Sequence, residues 1–473
     1  MSKKKERIPV VLEQIPILDF AAEAKCISKV NDEIIFVQGP VAPGDIADLR
    51  ILKSKKKFKQ AQAINIQALS THRVEAPCSH FGVCGGCKWQ HVSYESQLAF
   101  KSRQVSDNLT RIAKVPLPEF MPILGSDEAY YYRNKLEFTF SSARWLTNDE
   151  IGSEDLGSLH ALGFHVPGRF DKILAVDHCY LQPDPSNAIR NSVFEFAEKN
   201  NISFYELKFQ KEGALRNLII RNTSIGQWMV TVQFAYAEPQ EIESVMAFLQ
   251  AEFPLITSLN YVINQKGNDT FHDLEVVCYH GKPFIEEKME DLVFQIGPKS
   301  FFQTNSKQAI RLYQLVREYA GLTGSEIVYD LYSGTGTIGL FLANQASKIV
   351  GLEYVEMAVA DAHINAKLNK IEHASFFAGD MKRVLTEEFI AIHGKPDVII
   401  TDPPRAGMDE EVIVQILKVL PKTIVYISCN PATQARDLAL LDVAYAVDVV
   451  HPVDMFPQTH HVENIVRLRL RTS

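Results

Sequence analysis

Along the chain the hydrophobic pattern changes period more than once. From about residue 20 to 69 apolar and polar residues alternate in short runs, AKCISKV, EIIFVQG, DIADLRILKSKKK and FKQAQAINIQAL, with GPVAPGD reading as a turn. Period-two alternation predicts half-buried strands, and about five of them in so short a stretch predict a small closed β-barrel of the oligonucleotide-binding kind. A helix is expected from Ser93, with Leu98, Val105, Leu109 and Ile112 on one stripe. Between about residues 130 and 286 strand patterns return as RNKLEFTF, LRNLIIRN, WMVTVQFAY, SLNYVIN and DLEVVCYH, with helices expected near 186–198 and 241–249. That mixture predicts an α+β antiparallel-sheet domain. After Phe301 strand and helix patterns alternate, from EIVYDLYSG and TIGLFLANQ to TIVYISCN and TQARDLALL. Such alternation predicts a mostly parallel sheet with helices on both faces and a ligand site at the carboxyl ends of its strands. YAVDVVHPVDM and VENIVRLRL follow each other without a helical stretch, so this C-terminal α/β sheet is expected to end in an antiparallel hairpin.

Composition adds the scale. A chain of 473 residues is too long for one core, and the pattern divides it at 10–72, 73–92, 93–294 and 295–473. No apolar run is long enough to span a bilayer, and MSKKKERIPVV lacks the apolar core of a signal peptide. The expectation is a cytoplasmic protein with no membrane partner, and a monomer, since no spare apolar helix is evident. Net charge is −8, yet residues 50–74 carry seven Lys or Arg and no acid. Such a stretch is either a local phosphate contact or a solvated strand face.

The candidate chemistry lies mostly at the predicted strand ends. VYDLYSGTGTIGL has the glycines that let backbone approach a ligand closely. Glu353, ending the next strand, is placed to grip the two hydroxyls of a ribose, and Asp380, ending the third in FFAGD, to meet an adenine edge. Asp402 opens a DPPR loop whose prolines fix the backbone. Amino-group methyltransferases carry an aromatic residue where Arg405 stands, so that chemistry is disfavoured. Cys429, in ISCNPATQARD, closes the fifth strand ahead of a helix that Asn430 would cap and Pro431 would start. The positive end of a helix is expected to lower its thiol pKa and favour the nucleophilic thiolate. A thiolate there suits addition to C6 of uracil, which activates the poorly nucleophilic C5. Glu463, in HHVENIV, is the expected base for the C5 proton, with His460 and His461 as rivals.

Seven cysteines are present. In APCSHFGVCGGCKWQ, Gly85 and Gly86 allow Cys78, Cys84 and Cys87 to wrap one centre, and Cys179 in VDHCYLQPD is the candidate fourth ligand. Four cysteinates suit a 4Fe-4S cluster or zinc; three close thiols with a remote fourth favour iron and sulfur, while His80 and His178 keep zinc open. Cys26 and Cys278 read as core residues.

Taken in order, YYRNKLEF, FFQTN, DLYSGTGTIGL, DPPRAG, SCNPAT and HHVENIV resemble the motif set of the bacterial RNA uracil-5-methyltransferases, in particular the iron–sulfur branch acting on 23S ribosomal RNA. The resemblance runs from about residue 10 to the end. It implies an N-terminal TRAM barrel, a central RNA-binding domain and a Rossmann-like methyltransferase domain. It further implies that Gln303, Tyr332, Thr337, Glu353, Asp380 and Asp402 contact S-adenosylmethionine, that Cys429 is the nucleophile and Glu463 the base, and that Cys78, Cys84, Cys87 and Cys179 hold a structural cluster. The partner would be RNA, 23S ribosomal RNA before transfer RNA, and a non-catalytic RNA-binding assembly factor is the remaining alternative. Ser333, Thr337 and Gln434 depart mildly from the pattern, which commonly has cysteine, asparagine and leucine there.

Overall fold

The computed structural model describes residues 10–147, 150–154, 156–210 and 213–471; residues 1–9, most of the stretch inspected for a signal peptide, lie outside them. The chain forms two compact units, one running up to Lys101 and including Phe456–His460, the other comprising Ser102–Met455 and the chain from His461 onward. Among the described residues no helix is long and apolar enough to cross a membrane.

In the smaller unit β1 (Val11–Pro16), β2 (Asp19–Phe20), β3 (Cys26–Val30), β4 (Glu33–Gln38), β5 (Ile46–Ser54) and β6 (Phe58–Ala68) form one sheet in the order β1-β5-β6-β4-β3-β2. Its core gathers Ile17, Cys26, Ile35, Val37, Val41, Ala47, Leu49 and Ala61. Cys26 is therefore the core residue its strand pattern suggested, and its buried sulfur lies 3.2 Å from the Val41 carbonyl. The side chains of Arg50, Lys53, Lys55, Lys56 and Lys57 face solvent.

α1 (Tyr94–Asn108) starts where expected, then widens into a π turn over Leu109–Ala113. The widened turn shifts the register. Val105, Leu109 and Ala113 are buried while Ile112, expected on the same stripe, is 43% exposed.

The larger unit holds two seven-stranded sheets. The first has the order β13-β12-β11-β10-β7-β8-β9, built from β7 (Lys135–Ser141), β8 (Ala161–Val166), β9 (Arg169–Ala175), β10 (Leu215–Asn222), β11 (Trp228–Phe234), β12 (Ile256–Ile263) and β13 (Val276–Gly281). It departs from an all-antiparallel sheet at one place: β11 and β12 pair in parallel. The reason is α3 (Pro239–Glu252), long enough to return the chain to the start of the neighbouring strand. Together with α2 (Ser186–Lys199) it covers one face, packing Ile189, Val193, Val245, Met246 and Leu249 against Phe138, Leu218 and Val230. Cys278 lies on the outermost strand β13 and is partly exposed, which corrects its reading as a core residue.

A hairpin of β14 (Ile285–Met289) and β15 (Leu292–Ile296) leads to α4 (Ser306–Ala320) and the second sheet. Glu287 on β14 is wholly buried, and its carboxylate accepts from Ser306 Oγ at 2.5 Å and from Ser224 N at 3.0 Å. Asn134 adds bonds to Ser306 Oγ and to the Gln303 carbonyl. These partners satisfy polar groups that would otherwise be costly to bury, and they join the first sheet to the start of α4.

The second sheet has the order β18-β17-β16-β19-β20-β22-β21. Its strands are β16 (Ile327–Leu331), β17 (Lys348–Glu353), β18 (Ala374–Ala378), β19 (Val398–Thr401), β20 (Thr423–Ser428), β21 (Tyr445–Val453) and β22 (Glu463–Leu470). Between them run α5 (Thr337–Leu342), α6 (Glu356–Leu368), α7 (Met381–Val384), α8 (Glu387–His393), α9 (Glu410–Val419) and α10 (Pro431–Leu441). β16 to β20 are parallel and β22 inserts antiparallel between β20 and β21, the hairpin ending the pattern predicted.

Packing under this sheet is close. A Cβ at Gly351 of β17 would lie 2.3 Å from Phe376 Cδ1 on β18. Gly351→Ala is expected to destabilise the protein by about 1–3 kcal/mol, measured by urea unfolding; stability equal to wild type would show that Phe376 can yield at no cost.

Candidate active site

Parallel register puts five of the sequence-selected residues at one edge. Glu353 is the last residue of β17 and Asp402 and Cys429 directly follow β19 and β20, while Tyr332 directly follows β16 and Asp380 lies two residues past β18. Between β16 and α5 the loop turns through Tyr332, Gly334 and Gly336 at φ of 63°, 54° and 76°. Glu353 secures this loop: Oε2 accepts from Gly334 N at 3.0 Å and Oε1 from Val355 N at 2.9 Å. A Cβ at Gly334 would meet nothing within 4 Å, so the loop borders open space there. Thr337 opens α5 and shares a hydroxyl contact of 3.0 Å with Thr335. Asp380 caps α7 through Lys382 N at 3.1 Å. The Tyr332 ring packs against the hydrophobic core under the sheet. Gln303 lies three residues before α4, its carbonyl held by Asn134.

Cys429 and Glu463 face each other for a topological reason. Ser428 of β20 pairs with Asn464 of β22, and in an antiparallel pair the next residue forward on one strand opposes the next back on the other. Gln434 of α10 fastens this pairing. It is buried, donates to the Tyr426 and Asn464 carbonyls at 3.0 and 3.2 Å, and accepts from Asn464 Nδ2 at 2.7 Å. Asn430 caps α10 at Ala432 N, and its amide donates to the Arg405 carbonyl at 3.0 Å, which ties the DPPR loop to the residue beside Cys429. Arg405 extends from that loop to within 3.2 Å of the His461 ring.

Electrostatics reverse one expectation. The Cys429 thiol is pushed up, to about 11, by burial first and then by the charges of Glu463 and Asp402; Arg405 opposes them. The end of α10 does not win: its Ala432 N–H already serves the Asn430 side chain, while burial and the two acids disfavour the thiolate. Burial likewise raises Glu463 to about 8, with Asp402 adding to the shift and Arg405 opposing it. Asp402 rises to about 7 through burial. Both acids are thus held towards their protonated forms.

Two residues at this edge carried no role in the motif reading. Asp330 on β16 is buried; Oδ2 accepts from Gly339 N at 2.8 Å while Oδ1 has no hydrogen-bond partner among the described residues. Burial, against the pull of the Gly339 N–H, lifts it to about 7. Tyr313 on α4 is buried, with its ionised form disfavoured by burial and then by Asp402, Asp330 and Glu463. An acid inside the apolar run IVYDL was the available signal for Asp330; Tyr313 reads in sequence as one more apolar-face position.

Cys78, Cys84 and Cys87 lie in the smaller unit, and Cys179 follows β9 in the larger one. Burial raises the Cys78 thiol, and Cys84 Sγ accepts from Gly86 N at 3.4 Å. Among the described residues no three His, Cys, Asp or Glu side chains are placed to hold a metal ion.

The buried acid gives a signed prediction. Below the ordinary carboxyl value both folded and unfolded chains carry the Glu463 proton, and from there up to about 8 only the folded chain does, so rising pH favours unfolding. Glu463→Gln should therefore be more stable than wild type at pH ~8, by roughly 2–4 kcal/mol, with the gap closing towards pH ~4. Thermal unfolding across pH checks it, and parallel curves for the two proteins would contradict it.

Comparison with known proteins agrees with this architecture. Residues 281–471 match the tRNA (uracil-5-)-methyltransferase family model. An uncharacterized RNA methyltransferase of Bacteroides thetaiotaomicron is 56% identical, over 95% of this chain and 100% of its own. One from Porphyromonas gingivalis is 51% identical, over 96% and 98%. Among solved structures, the tRNA (uracil-54, C5)-methyltransferase of Pyrococcus abyssi, in complex with S-adenosyl-L-homocysteine, superposes with a TM-score of 0.74 at 27% identity, covering 98% of this chain and 100% of that one. The chain belongs to the RNA uracil-5-methyltransferase family.

Proposed function

We infer that this protein methylates C5 of a uracil in RNA using S-adenosylmethionine, through a covalent bond between Cys429 and uracil C6. The observation that carries the reading is the register that sets Cys429 opposite Glu463, with Asp402 beside them at the strand ends.

The residues suit the cofactor. Asp330 Oδ1 and Ser333 Oγ are buried without hydrogen-bond partners among the described residues, and Gly334 borders open space. Glu353, Asp380, Asp402, Gln303, Tyr332 and Thr337 are the proposed contacts. When bound, S-adenosylmethionine supplies the electrophilic methyl group, and its positive charge lowers the cost of ionising the buried acids and thiol around it.

The chain's own residues then do the following. Cys429 gives its proton to solvent and its sulfur adds to C6, and the displaced electron pair passes to the C4 oxygen as an enolate. The C4 carbonyl then re-forms as C5 bonds the methyl carbon, and the methyl–sulfur bond breaks with its electrons left on the sulfur of the departing S-adenosylhomocysteine. Glu463 removes the C5 proton, and the electrons of that bond re-form the C5–C6 double bond and expel the Cys429 thiolate. The uracil must leave its stack to reach these groups. Arg405, exposed in the DPPR loop, is placed to meet phosphate or base, and the basic β5–β6 face of the smaller unit, proposed as a TRAM domain, supplies further phosphate contacts.

For the RNA we propose 23S ribosomal RNA, on the strength of the cysteine-rich loop. Transfer RNA is the second reading, favoured by the full-length likeness to the Pyrococcus abyssi enzyme. A cluster on Cys78, Cys84, Cys87 and Cys179 rests on residue type and spacing alone, and no step runs through it. Iron and acid-labile sulfide assays on anaerobically purified protein decide the matter: about four irons per chain support the cluster, and zinc or no metal overturns it.

The reaction is tested with 5-fluorouridine-substituted 23S and transfer RNA transcripts. Fluorine at C5 cannot leave as a proton, so with S-adenosylmethionine a protein–RNA adduct should survive a denaturing gel with wild type and vanish with Cys429→Ala. Glu463→Gln should lower turnover on natural RNA by about 100-fold or more while still forming the fluorinated adduct. No adduct with either RNA, from protein shown to bind the cofactor, would overturn the covalent reading.

A further inference from the structure

The face of the first sheet turned away from α2 and α3 holds a pocket that the methyl-transfer chemistry does not use. Side chains alternate across a strand. Phe138 and Leu218 pack under the helices, so Thr139 and its partner Asn217 point to the opposite face. His165 points there with them, two residues along from the Gly163 that also pairs with Thr139. A bulge brings in Arg216: Leu215 pairs with Phe234 and Asn217 with Gln233, which leaves Arg216 as the extra residue, and a bulge re-aims the side chain it carries. The result is a pocket of about 340 Å³ whose lining includes His165, Phe170, Tyr205, Gln210, Arg216 and Asp269, and none of the residues assigned to methyl transfer.

Its polar groups are incompletely paired. The Arg216 side chain is only 2% exposed. Nη1 donates to the Asn264 and Lys266 carbonyls, each at 2.6 Å, and Nη2 to the Asn268 carbonyl at 3.2 Å and Asp269 Oδ1 at 2.9 Å. The donor left over is Nε, which is buried with no partner among the described residues. His165 Nδ1 and Asn217 Oδ1 are buried without partners as well. They end a chain in which Asn217 Nδ2 donates to Thr139 Oγ1 at 3.2 Å and Thr139 meets His165 Nε2 at 3.4 Å. Buried polar atoms left unpaired are rare because each costs free energy. One water fills about 30 Å³, so a space of this size beside such atoms suits a larger polar guest.

The walls define the guest. Asp269 balances the charge of Arg216 at 2.9 Å, so the interior offers a phosphate little attraction. The guanidinium lies over the Tyr205 ring at 4.3 Å, and Phe170, 72% exposed, presents an aromatic ring at the rim. Aromatic rings and arginine planes take up unstacked nucleobases, and neighbouring polar groups bond their edges. Here Arg216 Nε donates and the Asp269 carboxylate accepts, which matches the mixed donor and acceptor edge of a base. Exposed Arg169 and Lys208, next in sequence to the lining residues Phe170 and Leu207, supply cations for the phosphates on either side of it.

We propose that this pocket receives an unstacked base of the RNA substrate, from a nucleotide other than the one methylated. The proposal rests on the uracil-methylating reading and adds to it a second base contact that reads the strand beside the target. Arg221, further along β10, bonds the Gly297 and Ser300 carbonyls ahead of α4. The pocket at Arg216 therefore lies roughly 17 Å along the strand from that segment, which keeps the two bases apart.

The experiment is filter retention of 23S and transfer RNA transcripts by wild type and Phe170→Ala. Phe170 is exposed, so its loss leaves the core intact, and affinity for S-adenosylmethionine, which should stay at wild type, checks this. Losing one stacked base weakens retention by about fivefold or more. Synthetic fragments of the retained RNA, each with one abasic nucleotide, then locate the base. At one position other than the target the lesion should cost wild type about fivefold or more and cost Phe170→Ala nothing further, since both changes remove the same contact. Retention by Phe170→Ala equal to wild type, or losses from lesion and variant that add at every position, overturns the proposal. So does calorimetric binding of AMP, CMP, GMP or UMP that leaves RNA retention unchanged, which assigns the pocket to a free nucleotide. Wild type that shows the base dependence yet methylates neither transcript overturns the methylating reading and leaves the pocket assigned.

Discussion

The insertion of β22 between β20 and β21 is the constraint on which the site depends. Only because β22 runs antiparallel to β20 does its first residue, Glu463, arrive opposite the residue that ends β20. A slip of one residue would turn Glu463 to the other face of the sheet, so register is worth holding strongly. Gln434 does this from below, binding the backbone of both strands at once in the apolar interior, where such bonds are costly to leave unmade. The residue that departs from the family pattern on α10 is thus a fastener of the pair it underlies.

Around that pair the electrostatics are unfavourable by construction. Asp330, Asp402, Glu463 and Cys429 are all pushed towards their neutral forms, and Arg405 is the cation that opposes the drift at Glu463 and Cys429. Arg405 is itself exposed, but its carbonyl is held by Asn430 and Thr433, so the loop that carries it follows the N-terminus of α10. One capping residue therefore serves the helix, the Arg405 loop and the approach to Cys429.

Much of this was legible in the sequence, for identifiable reasons. Strand-helix alternation after Phe301 fixes a parallel sheet, and in such a sheet any residue closing a strand lands on the ligand edge, which is why Glu353, Asp402 and Cys429 could be placed by pattern alone. Asn430 followed by Pro431 spelled its helix start. What pattern could not carry were effects that depend on three-dimensional neighbours. The thiol shift at Cys429 comes first from burial and then from acids 27 residues before and 34 after it, and a helix-end argument sees none of these. Tyr313 is indistinguishable from a core aromatic until the strands beside α4 are known. The parallel β11–β12 pair was hidden because a short crossover helix resembles any other connection, and Ile112 was misplaced because a π turn leaves no clear mark on a helical period.

The raised pKa of Cys429 bears also on how the protein ages. Peroxides and electrophiles attack thiolates, and a thiol that stays protonated at neutral pH is slow to climb the ladder from sulfenic to sulfinic acid. Burial, and after it the carboxyl groups beside the thiol, thereby shelter the sulfur from oxidative loss. The sheltering lasts until a cation enters the cleft and makes the thiolate affordable, so the sulfur is vulnerable chiefly during turnover.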